Sequence, residues 1–190
     1  MRRLAIAQQT HFDALAVEEA DLSMERRLGA PEGNLLVAQN NLATTYATLG
    51  RLDEALRMRQ DVYSGYVKLL GEEHEGTVHT AFNYATALLD LQRFDEGKSL
   101  LRKVMAVARR VIGENHEITL RMEANYAAAL GDNPSATLNE IREAVSTLEE
   151  IDRTARRVFG SEHPLTTGIE ESLRDARAAL RARETPSSET

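Results

Sequence analysis

The sequence has no cysteine and no tryptophan, and aromatic residues make up only 5% of it. Without cysteine there is no disulfide, no thiolate metal ligand and no cysteine nucleophile. No apolar run approaches the roughly 18 residues that a membrane span requires. The net charge of −7 is opposite in sign to the Lys and Arg excess with which proteins neutralise nucleic-acid phosphates. These features are typical of a cytoplasmic protein that binds neither nucleic acid nor a membrane.

The short motifs indicate no catalytic site. The tripeptide Gly97-Lys98-Ser99 matches the end of a phosphate-binding loop, but Gln92 stands where that motif needs its first glycine, and no strand is predicted before it. Acidic residues are scattered over predicted solvent-facing surfaces rather than paired for acid–base chemistry. We therefore expect a protein that is not an enzyme and that carries no cofactor.

An internal repeat organises the chain. One triplet occurs three times at intervals of 42 residues, and a glycine that follows an apolar residue recurs with the same interval. The triplets are Asn41-Leu42-Ala43, Asn83-Tyr84-Ala85 and Asn125-Tyr126-Ala127, and the glycines are Gly29, Gly71 and Gly113. A period of this length predicts a solenoid of stacked helical hairpins, each of which needs a neighbour to bury its apolar face.

Apolar spacing and the breakers between periodic segments predict the helices. The next glycine marker, Gly160, follows Gly113 by 47 residues, so we expect five extra residues in the third hairpin loop, near residues 131–135. Helices are predicted over residues 4–28, 35–49, 52–70, 75–90 and 94–112. The first helix of the third unit is predicted to end near residue 130, and a last helix is predicted over residues 164–183.

A linker pattern accompanies the glycines: Gly-x-x-His-x-x-Thr occurs at Gly71, Gly113 and Gly160. The first unit departs from it, with Pro31, Glu32 and Leu35 in its place, which indicates a modified first repeat. The three histidines fall in equivalent turns of successive units. They are therefore expected to lie in a row rather than converge on one ion, and no metal site is predicted.

These features resemble tetratricopeptide repeats of the 42-residue kind found in kinesin light chains. The core of the family's first helix is matched by Leu42-Ala43-x-x-Tyr46, Tyr84-Ala85-x-x-Leu88 and Tyr126-Ala127-x-x-Leu130. Its small second-helix residue is matched by Ala55, Gly97 and Ala144, and the paired Asn40-Asn41 and the Gly-x-x-His linkers are typical of the light chains. Armadillo and HEAT arrays have a similar period, but they fit these small residues less well.

The resemblance implies an all-α, right-handed superhelix of stacked helix-turn-helix hairpins. We expect a first helix over residues 1–29 that packs on the array, and repeats within 30–183 at 30–70, 71–112 and 113–159. A capping helix is expected at 164–183, followed by a disordered tail at 184–190. Light chains attach to the kinesin heavy chain through a long heptad segment, and Leu15 and Leu22 form too short a seam for that, so motor attachment is not expected.

In such arrays the first helices of the hairpins line a concave groove, which implies a module that binds a peptide or a partner helix there. An asparagine can donate to and accept from a peptide backbone at once. The alternative is that each asparagine only bonds between adjacent helices. The candidate peptide-binding residues are Asn41, Thr44, His79, Phe82, Asn83, Thr86, Arg121 and Asn125. Two other functions remain open: a structural fragment of a larger repeat protein, and a metal-binding or catalytic helical bundle.

Overall fold

The computed structural model describes the backbone of residues 2–184 and the side chains of residues 14–184. Over that range the chain forms eight α-helices and no strand, so the predicted all-α class is confirmed. The predicted tail beyond Glu184 lies outside the described residues. The helices are α1 (Arg2–Arg27), α2 (Glu32–Thr48), α3 (Leu52–Leu70), α4 (Glu75–Asp90), α5 (Phe94–Val111), α6 (Glu117–Gly131), α7 (Leu138–Phe159) and α8 (Pro164–Glu184).

The helices fall into two compact units, Met1–Leu91 and Gln92–Thr190. In the first unit α1 packs on α2. Leu15 and Leu22 of α1 share a buried cluster with Leu42 and Tyr46 of α2 and with Ala55 of α3. The Tyr46 hydroxyl donates a hydrogen bond of 2.6 Å to the Glu19 carboxylate, and this bond together with burial raises the pKa of Tyr46. Apolar burial and one polar contact therefore hold α1 in place.

In the second unit the predicted insertion is divided between a longer turn from α6 to α7 and an earlier start of α7 at Leu138. The Asn133 side chain accepts from the Ser135 backbone N–H at 2.9 Å, and Thr137 and Glu140 then form a capping box at the start of α7. Arg183, near the end of α8, donates to the carbonyls of Ala136 and Pro134 at 3.0 and 3.3 Å. The longer turn is thus bonded to α8.

The Gly-x-x-His-x-x-Thr linkers form the same structure three times. Each glycine has a positive φ, of 84°, 101° and 91° in chain order, which a side chain would strain. Each buried threonine hydroxyl donates to the glycine carbonyl at 2.7–2.8 Å. Each histidine Nδ1 accepts from the backbone N–H two residues later, at 3.0–3.2 Å. The histidines are therefore helix N-caps, and the residues concerned are Gly71/His74/Thr77, Gly113/His116/Thr119 and Gly160/His163/Thr166.

The first linker differs, as its sequence indicated. Pro31 occupies the N-cap of α2 and makes no side-chain capping bond. Its carbonyl accepts from the N–H groups of Asn34 and Leu35, at 2.9 and 3.3 Å. Helix α2 therefore begins at Glu32, three residues before the predicted start at Leu35. Proline fixes its own φ near the helical value, and Gly33 is tolerated in a first turn, where little backbone bonding depends on it.

Candidate peptide-binding surface

Two of the predicted site residues, Asn41 and Thr44, lie on α2 and are exposed to solvent. The Thr44 hydroxyl donates to the Asn40 carbonyl one turn earlier, at 3.1 Å. The Asn41 side chain makes no hydrogen bond to any residue within the described range 14–184. Its carboxamide therefore offers both a donor and an acceptor at the surface of the first unit.

Asn83 on α4 has a different environment, because its side chain is bonded to the neighbouring hairpin. The Asn83 Nδ2 donates to the Asn40 Oδ1 at 3.1 Å. Both side chains are half-buried. The amide of the second triplet therefore joins α4 to α2, and its partner is Asn40 rather than Asn41. For Asn83 the interhelical alternative left open by the sequence describes the observed bond.

The cation Arg59 is bonded to the backbone of Asn83. Arg59 on α3 donates through Nη1 to the Asn83 backbone carbonyl at 3.1 Å, while its Nε is buried and has no hydrogen-bond partner among the described residues. Burial lowers the pKa of Arg59, and the charge of Asp90 acts in the opposite direction. Arg59 therefore bonds to the backbone of Asn83, and Asn40 bonds to its side chain.

The remaining α4 candidates, His79, Phe82 and Thr86, lie within about one turn of Asn83 along the helix. His79 lies one turn before it, and its Nε2 is 3.7 Å from the Glu75 carboxylate. Phe82 is half-buried. The Thr86 hydroxyl donates to the Phe82 carbonyl at 3.0 Å. The structure thus brings six of the eight predicted site residues onto α2 and α4 of the first unit.

The other two candidates, Arg121 and Asn125, lie on α6 of the second unit. Arg121 is exposed, and its guanidinium is bonded to the Glu117 carboxylate through Nε at 3.0 Å and Nη2 at 2.7 Å. Asn125 is half-buried. Within its own unit Arg121 thus carries a charge that is already paired.

Sequence reasoning missed Asn40 and Arg59 as members of this polar group. The doublet Asn40-Asn41 was visible, but the triplet that repeats contains only the second asparagine. Arg59 had a signal that was not used, since the equivalent positions of the later repeats hold Leu101 and Leu148. Both leucines are buried, so a charged residue in that register is unusual and marks a local change.

The polar groups on α2 and α4 are suited to hydrogen bonding. Among the described residues there is no group of three or more His, Asp or Glu side chains that could hold a metal ion. The linker histidines use Nδ1 as a capping acceptor. Within residues 2–184, none of the helices combines the length and apolar character needed to cross a bilayer.

The repeated hairpins and linkers define a helical repeat protein. Two family models, each described as a tetratricopeptide repeat, match residues 34–91 and residues 80–117. Residues 34–117 therefore carry tetratricopeptide repeats, as the sequence markers there predicted. No curated protein matches the sequence.

The fold is similar to that of kinesin-light-chain-like repeat proteins. Two crystal structures of nearly identical TPR-like repeats come from a Podosopora anserina protein assigned to the kinesin light chains. One of them, a single-substitution variant, has a TM-score of 0.75 and 24% identity, and covers 93% of this chain and 82% of its own. The other has a TM-score of 0.74 and 24% identity, covering 93% and 83%. BtubC (BKLC) from P. vanneervenii has a TM-score of 0.70 and 14% identity, covering 99% and 81%.

At these identities the solved structures show the fold alone, and they confirm the predicted tetratricopeptide-like architecture of helical hairpins. The matched family models support a protein-interaction repeat module.

Proposed function

We propose that α2 and α4 of the first unit bind an extended peptide or a partner helix from another protein. The observation that carries this proposal is the exposed carboxamide of Asn41, which directly follows Asn40, the residue whose side chain is bonded to Asn83. A free carboxamide can pair with both the N–H and the carbonyl of a ligand backbone. Binding of this kind holds a peptide without reading its sequence.

Selectivity in this proposal comes from the side chains around the amides. Phe82 offers apolar area and His79 a polar ring on α4. The hydroxyl of Thr44 already donates to its own helix, so it retains acceptor capacity for a ligand donor. Thr86 adds a second hydroxyl one turn after Phe82. We extend the proposal to Arg121 and Asn125 of the second unit, where Arg121 would exchange part of its contact with Glu117 for a ligand carboxylate.

The test separates binding from stability. Peptide display would be run against the wild type, Asn41→Ala, and the control Asn139→Ala, which removes an exposed asparagine of α7. We expect peptides enriched by the wild type and by the control to be lost in Asn41→Ala. Circular dichroism should give all three proteins the same melting temperature. Equal enrichment by Asn41→Ala would refute a role for this carboxamide.

Asn83→Ala serves as a second probe with a different expected signature. It leaves the Asn40 side chain without its partner, so we expect it to lower the free energy of unfolding by about 1 kcal/mol. A peptide-binding defect in this variant therefore counts only when it exceeds the change in folded fraction.

A structural role in a larger repeat assembly is the second candidate. Three large apolar side chains are exposed here: Val17 and Met24 of α1, at 59% and 60%, and Leu28 just after its end, at 77%. Another helix laid along α1 would cover them. This function predicts that the display experiment enriches no peptide on the wild type, whereas the first proposal requires enrichment.

A further inference from the structure

A groove between α7 and α8, within the second unit, is rich in arginine. It encloses about 580 Å³. We call it the basic groove and define it by the five arginines of its lining: Arg153, Arg156, Arg174, Arg177 and Arg181. The lining also holds three carboxylates, which leaves a net charge of +2, whereas the whole chain carries −7. The groove is therefore a place of positive potential on an acidic protein.

The three carboxylates of the basic groove are already paired. Arg156 binds two of them, with its Nε 2.9 Å from the Asp152 carboxylate and its Nη2 2.5 Å from the Glu170 carboxylate. The Nη2 of Arg177 lies 2.6 Å from the Glu149 carboxylate. Two of the five arginines therefore use all the negative charge that the groove contains.

Two other arginines of the groove have no such partner. Arg153 of α7 and Arg174 of α8 are exposed, and neither side chain makes a hydrogen bond or an ion pair with a residue in the described range 14–184. A surface that serves only solubility has charges of both signs interspersed, so that its cations have anionic neighbours. Each guanidinium offers five N–H donors. An anion that enters the groove would supply the partner that both side chains lack.

The repeat does not account for these two arginines. The contact of Arg156 with α8 does belong to the repeat, because Arg109 and Glu123 form the same contact 47 residues earlier, at 2.7 Å. The positions 47 residues before the two unpaired arginines hold alanines, Ala106 and Ala127. The unpaired cations are thus specific to the α7–α8 pair within the second unit, and the packing of the repeat does not require them.

We infer that the basic groove binds a phosphate monoester carried by a partner protein, as on a phosphorylated serine or threonine. Such a group has a charge of about −1.5 to −2 near pH 7 and three acceptor oxygens, so a single group matches the net charge of the groove. A carboxylate brings one negative charge and neutralises only one guanidinium. Arginine pairs with phosphate through two parallel hydrogen bonds, and Arg153 and Arg174 both have their donors available for this.

This inference is independent of peptide binding by α2 and α4, because every residue of the basic groove lies in the second unit. The two surfaces can therefore be tested separately. A phosphorylated ligand that depends on the groove arginines should not depend on Asn41, the residue on which the proposed peptide site rests.

The first experiment titrates amide NMR spectra with N-acetyl-phosphoserine amide and with N-acetyl-aspartate amide, a carboxylate probe. The wild type is compared with Arg153→Gln/Arg174→Gln and with Arg27→Gln/Arg157→Gln, a control that removes two exposed arginines outside the groove. We expect saturable shifts at groove residues with the phosphoserine compound in the wild type and the control. The groove variant should bind it about tenfold more weakly, the loss expected for one charge-assisted hydrogen bond.

Three results of this titration would overturn the inference: no saturable shift, equal binding by the groove variant, or equal affinity for the aspartate compound. Circular dichroism should give the three proteins the same melting temperature, because neither Arg153 nor Arg174 is bonded in the fold. A loss of binding then reports on the groove itself.

A second experiment tests whether a protein segment carries the phosphate. A library of peptides with a central phosphoserine is passed over the immobilised proteins, before and after phosphatase treatment. We expect phosphorylated peptides to be retained by the wild type, the arginine control and Asn41→Ala, and to be lost from the groove variant. Retention after phosphatase treatment, or loss in Asn41→Ala, overturns the inference. Competition by inorganic phosphate at the concentration of half-saturation by the peptides would show a site for free phosphate and refute the partner.

Discussion

The ring of Tyr66 occupies the space that a side chain on Gly76 would need. An ideal β-carbon placed on Gly76 would lie 2.9 Å from Tyr66 Cε1. In the later repeats the sizes are exchanged: Ala108 corresponds to Tyr66, and Ile118 to Gly76. The last linker repeats that exchange with Ala155 and Leu165. The linkers at Gly71, Gly113 and Gly160 therefore each combine one large and one small residue at these two positions.

This exchange predicts that Gly76→Ile is destabilising on its own. The new side chain would overlap the Tyr66 ring, and we expect the free energy of unfolding to fall by about 1–3 kcal/mol. Tyr66→Ala leaves a cavity and should also destabilise. The double variant reproduces the arrangement of the second repeat, so it should recover most of the loss. Urea denaturation of the four proteins gives the coupling energy. Additive effects of the two substitutions would contradict the pairing.

Two substitutions of a linker histidine can distinguish its role as a helix cap from the effect of its side-chain volume. His116→Ala removes the acceptor for the Ile118 N–H, so the free energy of unfolding should fall by about 1 kcal/mol. His116→Asp keeps a capping acceptor and adds a favourable charge at a helix N-terminus, so it should match the wild type. The melting temperatures decide the matter. If the alanine variant is as stable as the aspartate variant, the histidine does not act as a cap.

For Arg59 we predict a substitution that raises the free energy of unfolding. It stands where later repeats hold buried leucines, and its Nε is buried without a partner among the described residues. Arg59→Leu removes the cost of burying a charged group and keeps apolar volume, so the free energy of unfolding should rise by about 1 kcal/mol. Arg59→Ala keeps neither the volume nor the bond to Asn83 and should destabilise.

Arg57→Leu, at an exposed position of α3, is the matched control for Arg59→Leu. Urea denaturation should leave its stability close to that of the wild type. A loss of stability in Arg59→Leu would mean that the bond to the Asn83 carbonyl outweighs the burial of the cation.

The capping box of α7 predicts an acid-dependent loss of stability. The backbone and side-chain hydrogen bonds from Thr137 hold the pKa of Glu140 below its usual range, and Lys98 adds to the effect. A carboxylate whose pKa is lowered in the folded state stabilises the fold above its unfolded pKa. That contribution disappears as the pH falls through the folded pKa. Urea midpoints measured from neutral to acidic pH should therefore decline less steeply in Glu140→Gln than in the wild type. Parallel curves would refute this role of Glu140.

Several features of the fold were predictable because neighbouring residues produce them. Helices α3 and α4 have the predicted bounds, since apolar spacing and the glycine breakers are properties of short segments. The Gly-x-x-His-x-x-Thr pattern showed a recurring turn. Only the structure showed that each histidine is a cap and that each threonine bonds the glycine carbonyl. The pattern could be recognised in the sequence because the bonded residues of each linker lie within six positions of one another.

The sequence by itself determined the class of protein: the 42-residue period, the hairpins, the linkers and the longer turn after α6 follow from local chemistry repeated along the chain. The tertiary structure decided which polar groups meet. Asn83 bonds to Asn40 across a separation of 43 residues, one position away from the residue that the period selects. One cleft is lined by the α1 carboxylates Glu18, Asp21 and Glu25 and by the α2 amides Asn34 and Asn41, and this grouping is equally non-local. Such pairings depend on how each helix is rotated about its axis, and packing of the apolar cores sets that rotation.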